Sequence, residues 1–271
     1  MKILIPTDFS EFSLKAIEFG IEIAKKTNGS IYIFTSIHVP GSSIAMMNEM
    51  MDVLEKETQN DLNNLLDEVK SEVSGEVDIN GNFSVGDPVM AINEFSGKIG
   101  ADLIVMGTKG ASGLKKALIG SNASGVIKNT KIPVLLIPED SNYLSFNEIL
   151  YASDLKNMDS EIDEILSLFK LWTPSITVLH IFNEQLPDSM IEDGSTGVDL
   201  IRRHHYDKLK FKSVKGKDPL NDIENYIIDN PTDLIILFSE KRSLLQSIFD
   251  SSLSKKMAFH AKTPMLVIPK K

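Results

Sequence analysis

Short apolar runs alternate with amphipathic stretches along the chain, and each run predicts a strand. In the first half the runs are rich in β-branched residues and are bounded by turn-forming residues. Between them, apolar residues recur three or four positions apart, which predicts helices. The predicted strands are 2–6, 30–37, 77–85, 102–107 and 133–138, and the predicted helices are 10–26, 44–73, 87–100 and 121–129. This alternation predicts right-handed βαβ units and a mainly parallel α/β sheet.

The composition of each run indicates its place in the sheet. Residues 103–106 (LIVM) and 134–137 (VLLI) are apolar throughout, as expected for central strands that are buried on both faces. Residues 77–85 alternate between apolar and polar side chains, and so do residues 208–214 in the second half. Alternation with lysines on the outer face is typical of a half-exposed edge strand, so we expect the third strand of each half at an edge.

The second half of the chain repeats the first. One long segment matches without a gap at a shift of 131 positions, and the openings of the halves match at a slightly larger shift. We therefore predict two homologous domains, 1–140 and 146–271, joined by a short polar link. Between its second and third strands the second half has a break rich in Gly, Ser and Asp, so a shorter helix with a loop is expected there. The matching segments are 102–138 with 233–269, and 3–8 (ILIPTD) with 149–154 (ILYASD).

Composition and charge narrow the classes of function. The 271 residues include no cysteine, which excludes disulfides, thiol catalysis and cysteine-ligated zinc. Aspartate stands at position 8, too early for a secretory signal, and no apolar run approaches the roughly 20 residues of a membrane span. We therefore expect a cytoplasmic protein without a membrane partner. The net charge of −10 disfavours a nucleic-acid surface.

A segment rich in glycine and lysine, GTKGASGLKKALIGS, follows the strand 102–107 and leads into the helix 121–129. Its spacing is Gly107-x2-Gly110-x9-Gly120, and the chain has neither of the two common phosphate motifs, GxxxxGK with Ser or Thr, and GxGxxG. Ligands of open parallel sheets bind beyond the carboxyl ends of strands, where the strand order reverses. The segment lies at such a place if the fourth strand is next to the first.

The residues of this segment have physical reasons to contact a phosphate. We expect Gly107 and Gly110 to turn with positive φ and to bring their amides close to a ligand. Gly120, Ser121 and Asn122 would present the start of a helix, where unpaired N–H groups and the helix dipole favour an anion. The alternative, a flexible connector with solvated lysines, stays open from the glycines alone. The lysines that would add positive charge are Lys109, Lys115 and Lys116.

The ends of the first two strands supply further candidates. Pro6, Thr7 and Asp8 follow the first strand, and a carboxylate there could bond a ribose hydroxyl or an adenine amine. The alternative is that Asp8 or Ser10 caps the helix that follows. Val39, after the second strand, could form an apolar wall for a base or could pack in the core.

Together these features resemble the universal stress protein family, in a tandem form. The resemblance rests on the glycine spacing, on PTD after the first strand and on HVP after the second, and it covers nearly the whole chain, once in each half. It implies that each half is an open five-stranded parallel sheet of order 3-2-1-4-5 with helices on both faces. It also implies ATP, with or without Mg²⁺, as the ligand. The implied contacts are Asp8 near adenine and ribose, Val39 and Met106 near the base, and the glycine segment with Ser121 on ribose and phosphates.

We expect only the first half to bind nucleotide. In the ungapped register Phe238 replaces Gly107 and Lys241 replaces Gly110, so larger side chains stand where the chain must turn and approach the ligand. Asp250 falls just before the helix start, where its charge would repel phosphate. Two first-half candidates keep their type in the second half: Asp8 as Asp154, and Ser121 as Ser252.

The family's usual role is signalling or stress tolerance, with a protein partner that the sequence does not identify. Two other functions stay open: a slow ATP hydrolase or phosphotransfer protein, and a partner-binding module without nucleotide. Hydrolysis needs a positioned base and usually a Mg²⁺ ligand near the phosphates, yet residues 107–122 include no acidic residue and Asp8 is assigned to the base end. We therefore assign no catalytic residue and no metal ligand, and we expect slow turnover at most.

Two features bear on protein partners. The last strands, 133–138 and 264–269, are short and apolar. We expect them to pair inside one chain as a pseudo-twofold pair, because an uncovered apolar edge is a liability; whether two chains then form a homodimer is open. The four methionines of residues 43–51 (SIAMMNEMM) form a soft apolar helix face, which is either core packing under the sheet or a partner-binding face.

Overall fold

The computed structural model describes residues 1–38, 44–108, 119–141, 146–182, 193–239 and 262–270. These residues form two compact units, and the chain passes from the first unit to the second after Glu139. Within the described residues, no helix has the combined length and hydropathy that a membrane span requires.

The first unit is an open parallel sheet with helices on both faces. Its sheet order is β3-β2-β1-β4-β5, and every neighbouring pair is parallel, in agreement with the order 3-2-1-4-5 that the resemblance implies. The strands are β1 (Lys2–Pro6), β2 (Ser30–Ile37), β3 (Asp78–Val85), β4 (Leu103–Gly107) and β5 (Val134–Ile137). The helices are α1 (Glu11–Thr27), α2 (Ile44–Val73), α3 (Pro88–Ile99) and α4 (Ser121–Asn129).

The core of the first unit lies along the central strands. Every residue of β5 is buried, and so is every residue of β4 except Gly107, as their uniformly apolar sequences predict. By contrast, β3 pairs with β2 alone and exposes five of its eight residues, which confirms the predicted edge strand. The apolar core therefore lies along the central strands. A ligand of an open parallel sheet is expected at the carboxyl ends of such strands.

The ends of the helices follow ordinary capping chemistry. The Asp87 side chain accepts a hydrogen bond from the Met90 amide at the start of α3, and Pro88 occupies the first helical position, where its missing N–H costs nothing. The same helix ends at Gly100 with a φ of 62°, a left-handed conformation that glycine adopts freely.

The second unit has the same order, β8-β7-β6-β9-β10, again with parallel neighbours. The helix before its third strand, α6, has 12 residues where α2 has 30, as predicted for a shorter helix. The loop expected at the break rich in Gly, Ser and Asp is wrong for residues 193–197, which begin α6, because packing against β8 outweighs their low helix propensity. The strands are β6 (Glu148–Ala152), β7 (Ser175–Phe182), β8 (Leu209–Lys215), β9 (Leu234–Ser239) and β10 (Met265–Pro269). The helices are α5 (Met158–Leu168), α6 (Asp193–His204) and α7 (Pro219–Asp229).

Two aspartates that match between the halves accept hydrogen bonds at the amino ends of the strands, one in each unit. The Asp102 carboxylate accepts a hydrogen bond from the Lys2 amide at 2.7 Å. Its counterpart Asp233 accepts from the amides of Asn147 and Glu148 at 2.9 and 3.0 Å. The aspartates that match between the halves are therefore structural, because they lie at the edge opposite to the carboxyl ends of the strands.

Candidate functional site

A cavity of about 350 Å³ opens at the carboxyl ends of β1, β2 and β4. It is bordered by the ends of these strands, by residues near the starts of α1, α3 and α4, and by one residue of α2. The predicted site residues that line it are Pro6, Thr7, Asp8, Met106, Gly107, Gly120, Ser121 and Asn122. Three further predicted residues, Val39, Lys109 and Gly110, lie outside the described residues.

Hydroxyl groups hold the turn after β1 in one conformation. The Thr7 amide donates to the Phe34 carbonyl at 2.8 Å, and the Thr7 hydroxyl accepts from the Phe9 amide at 2.9 Å. The Thr7 and Ser13 hydroxyls are 2.8 Å apart, and Ser13 also donates to the Ser10 carbonyl. Phe9, which lines the cavity, has a φ of 60°, an uncommon conformation for a bulky residue. The strand end that the sequence identified is therefore a fixed, strained turn.

Asp8 contributes to the local turn as well as to the cavity wall. One of its carboxylate oxygens, Oδ1, accepts hydrogen bonds from both the amide and the hydroxyl of Ser10. The alternative that Asp8 or Ser10 caps the following helix is wrong, because Ser10 is the N-cap residue of α1 and no described side chain caps that helix; Asp8 instead holds the turn before it. The side chain is exposed and borders the cavity.

The prediction of a positive φ at Gly107 is wrong. Among the described glycines, a positive φ occurs at positions 75, 86 and 100, whereas Gly107 is the last residue of β4 and Gly120 has a φ of −64°. The reason is the hydrogen bonding around them. The Thr108 amide donates a hydrogen bond to the Ile137 carbonyl and so continues the strand pairing. The Gly120 amide donates a hydrogen bond to the Thr108 carbonyl at 2.7 Å. What glycine offers at these two positions is the absence of a side chain beside the cavity.

The start of α4 faces the cavity without a side-chain cap. Gly120 is the N-cap residue and cannot cap, and the first turn contains no acidic residue. Ser121 and Asn122 are exposed and line the cavity. The first amides of a helix have no partner within the helix, and the helix dipole adds positive potential there. This geometry suits an anion such as a phosphate.

The position of α4 depends on close packing with α3. A Cβ atom on Gly125 would lie 2.6 Å from the Val89 side chain, far inside van der Waals contact. Because Pro88 and the first residues of α4 line the same cavity, this close approach brings two helix starts to one place.

The cavity wall is rich in hydroxyl groups that the sequence did not reveal. Thr108 follows Gly107 directly and could have been found by extending the strand-end argument by one residue. Thr58 lies in the middle of α2, where no local signal marks it. Among the described lining residues Asp8 carries the one carboxylate, and none carries a basic group. The additional hydroxyl residues are Ser13, Thr35, Ser36, Thr58 and Thr108.

The corresponding strand ends of the second unit carry a cluster of buried polar groups. The Tyr151 hydroxyl donates to the Glu161 carboxylate and accepts from the Ser153 hydroxyl at 3.0 Å. Burial, and then the hydrogen bond to Glu161, raise the pKa of Tyr151 well above its ordinary value. The Phe238 ring packs edge-on against Tyr151 with 5.6 Å between ring centroids. The residue that replaces Gly107 therefore contributes to a filled, aromatic environment.

Lysines neutralise the second-unit counterpart of Asp8. The Lys270 ammonium lies 3.5 Å from the Asp154 carboxylate and 3.2 Å from that of Glu161, and Lys156 lies 3.8 Å from Asp154. The described residues contain no group of three or more His, Asp or Glu side chains arranged to hold a metal ion. The strand end of the second unit thus carries an ion-pair network whose most buried members are Lys270 and Glu161.

Comparisons with known proteins agree with this architecture. The model of the universal stress protein family matches residues 1–138. Two universal stress proteins of Methanocaldococcus jannaschii, MJ0531 and MJ0577, are 37% and 31% identical to this chain over 139 and 155 residues. Each alignment covers 50% of this chain, and they cover 81% and 93% of the relatives. A universal stress protein structure from Archaeoglobus fulgidus is 22% identical, with a TM-score of 0.76, and covers 99% of this chain and 96% of that one. The chain belongs to the universal stress protein family.

Proposed function

We propose that the first unit binds one adenine nucleotide, ATP, and that the protein acts as a nucleotide-binding regulator in signalling or stress tolerance. The observation that supports this most directly is the cavity at the carboxyl ends of β1, β2 and β4. It brings Asp8, Met106 and the uncapped start of α4 around one space of about 350 Å³. This volume lies within the range of small-molecule sites, roughly 300–1,000 Å³.

The phosphates are assigned to the start of α4. Backbone amides there have no side-chain cap, Gly120 places no side chain in the way, and the Ser121 hydroxyl is exposed beside them. The lysines of residues 109–116 follow Gly107 in sequence and would supply counter-charge.

The base and ribose are assigned to the ends of β1 and β4. Met106 is buried at 6% exposure and lines the cavity, so it offers an apolar contact for a base. The Asp8 carboxylate lies on the same cavity, where it can accept a hydrogen bond from a ribose hydroxyl or the adenine amine while Oδ1 keeps its bonds to Ser10. Val39 lies outside the described residues, and its assignment to the base rests on the sequence alone.

The side chains that line the cavity suit a nucleotide better than a metal ion held by protein side chains alone. Mg²⁺ prefers oxygen ligands and usually includes carboxylates, and among the described lining residues Asp8 alone carries one. The phosphates and water would supply the remaining ligands of any Mg²⁺. We therefore expect ATP to bind with or without Mg²⁺. If the lysines do not balance the phosphate charge, ATP should bind more tightly when Mg²⁺ is present.

Slow turnover at most is the expected behaviour. Phosphoryl transfer needs a base beside the nucleophile, yet Asp8 is assigned to the base end and one of its oxygens already accepts two hydrogen bonds from Ser10. Thr7 and Ser13 bond to each other and to the backbone. We expect phosphate release below about 1 per second, the low end of ordinary enzyme turnover. Steady release at that rate or faster would favour the hydrolase alternative.

We propose that the second unit does not bind nucleotide. Phe238 packs on Tyr151 where the glycine turn would begin, and Lys270 and Lys156 pair with Asp154, so the ribose-binding carboxylate is already engaged. Displacing Lys270 would also break its ion pair with the buried Glu161 carboxylate, which is costly.

Isothermal titration calorimetry with ATP, with and without Mg²⁺, tests the proposal. We expect one site per chain. Gly120→Val should fold normally, because its φ of −64° and ψ of 160° suit valine, yet lose at least tenfold in affinity because a branched side chain stands beside the phosphates. Ser252→Ala is the matched control and should bind like the wild type. No binding to the wild type would favour the partner-only module, and a folded Gly120→Val with full affinity would make the segment a connector.

A further inference from the structure

Helix α2 is longer than the sheet it packs on. Its 30 residues span about 45 Å, whereas the eight residues of β2 or β3 span about 26 Å. The second half of the helix buries four apolar side chains under these strands, but no side chain from residue 50 to residue 61 is buried. The first half of α2 therefore extends past the part of the sheet that its second half covers. The buried side chains are Leu62, Leu65, Val69 and Val73.

This extending half exposes two neighbouring apolar side chains. Met50 is 48% exposed and Val53 is 55% exposed. They stand three residues apart and so share one face of the helix. Of the two interpretations of the methionine-rich stretch, core packing does not apply to Met50. Met51 and Leu54 are partly buried and lie on the side of Thr58, which lines the cavity.

The stretch that carries this pair is acidic. Residues 50–61 contain four acidic side chains and one lysine, a net charge of −3 from four minus one. Glu57 lies four residues after Val53 and flanks the apolar pair, and Asp61 follows one turn later. A second copy of the chain would bring like charges together, and an anionic membrane would be repelled. A positively charged partner would be attracted.

We propose that the face of α2 formed by Met50, Val53, Glu57 and Asp61 is a docking surface for a partner protein. The partner presents an amphipathic helix whose apolar side chain contacts Met50 and Val53 and whose lysine or arginine residues pair with the carboxylates. A flexible thioether beside a stiff branched side chain adapts to such an apolar contact. The surrounding charges select basic partners and speed their encounter.

The test uses the full chain with ¹³C-methyl-labelled methionine and two 18-residue probe peptides. One is an amphipathic helix of leucine and lysine, and the other has glutamate in place of lysine. We expect the lysine peptide to shift the methyl signal of Met50 and to leave that of Met90 unchanged, although Met90 is 73% exposed on α3. The glutamate peptide should cause no shift. The measurement needs no nucleotide, so its outcome is separate from that of the cavity.

Variants of this docking surface test whether it binds the lysine peptide. The double variant Met50→Gln, Val53→Gln should weaken the lysine peptide at least tenfold, and Glu57→Lys with Asp61→Lys should do the same. The matched control Met90→Gln should stay within twofold of the wild type, and circular dichroism checks that all variants fold. Equal binding of both peptides, shifts centred on Met90, or full affinity in the double variant would overturn the proposal. A change in the sedimentation of the protein alone on Met50→Gln, Val53→Gln would assign the face to a second copy and overturn it equally.

Discussion

The Thr7 hydroxyl holds the turn that carries Asp8. It accepts from the Phe9 amide at 2.9 Å and pairs with the Ser13 hydroxyl at 2.8 Å, and Thr7 is only 7% exposed. Thr7→Val keeps the shape but leaves these partners without a bond, which should lower the free energy of unfolding by about 1–3 kcal/mol. Thr7→Ser keeps the hydroxyl and loses one methyl group, so its cost should be about 0.8 kcal/mol. Urea denaturation measures both, and equal stability of the two variants would contradict the role of the hydroxyl.

Tyr151 should make the second unit sensitive to alkaline pH. Its pKa is raised above the ordinary value of 10.0, first by burial and then by the hydrogen bond to Glu161. The folded state therefore keeps the proton, while the unfolded state loses it above about pH 10, so stability is fully present below that pH and falls as pH rises beyond it. The slope approaches 1.4 kcal/mol per pH unit. Urea midpoints between pH 8 and pH 11 should decline less steeply for Tyr151→Phe, and parallel curves would contradict this.

Single glycines show what a sequence reveals and what it leaves out. Gly100 ends α3 with a φ of 62°, a function that its position after an amphipathic run predicts. Gly120 has an ordinary negative φ, and Gly125 is required because Val89 leaves no room for a Cβ atom. The sequence identifies where glycines cluster. It does not reveal whether each one supplies a backbone angle or a space, since that depends on a neighbour distant in the chain.

At the scale of helices, the α3–α4 contact should control the shape of the cavity. Alanine in a helix is ordinarily more stable than glycine by about 1 kcal/mol. At Gly125 that gain should be reversed, because the new Cβ would meet Val89 at 2.6 Å and push α4 away from α3. We expect Gly125→Ala to lower both stability and nucleotide affinity, the first measured by thermal unfolding and the second by calorimetry.

Gly97 provides the matched control for this prediction. It lies in α3, and a Cβ atom there would meet nothing within 4 Å, so Gly97→Ala should stabilise the protein by up to about 1 kcal/mol and leave affinity unchanged. The double variant Gly125→Ala, Val89→Ala should recover the affinity lost by Gly125→Ala. If Gly125→Ala alone is stabilising, the helices have room to spare and the contact does not position α4.

Elements with a strong local pattern were predictable almost to the residue. The bounds of β1, β2 and α4 agree with the sequence prediction because hydrophobic periodicity and turn residues mark them directly. The extending half of α2 was not predictable, although the bounds of the helix were. An amphipathic pattern shows which face of a helix is apolar, but the length of the sheet beneath it depends on β2 and β3, which the pattern of α2 does not contain.

At the scale of the whole chain, the repeat revealed part of the difference between the units. The register places Phe238 opposite Gly107, and the structure puts its ring against Tyr151. The sequence did not predict the ion pairs of Lys270 with Glu161 and Asp154. They join a residue after the last strand to the start of α5, and a comparison of aligned positions does not detect contacts between positions so far apart.

ATP should therefore stabilise one unit and leave the other unchanged. A ligand at 100 times its dissociation constant stabilises the state it binds by about 2.7 kcal/mol. In the first unit this should slow amide hydrogen exchange around Phe9 and at the start of α4, where backbone groups surround the cavity. Exchange at Leu155, which has the same left-handed conformation at 65°, should stay constant because its turn is held by the Ser153 hydroxyl and faces the ion-pair network. Mass spectrometry of exchanged peptides measures both regions in one sample, and Gly120→Val with the same ATP is the control that should show no slowing in either. Equal protection around Phe9 and Leu155 in the wild type would mean that both units bind nucleotide, and the lysines around Asp154 would then have to move aside.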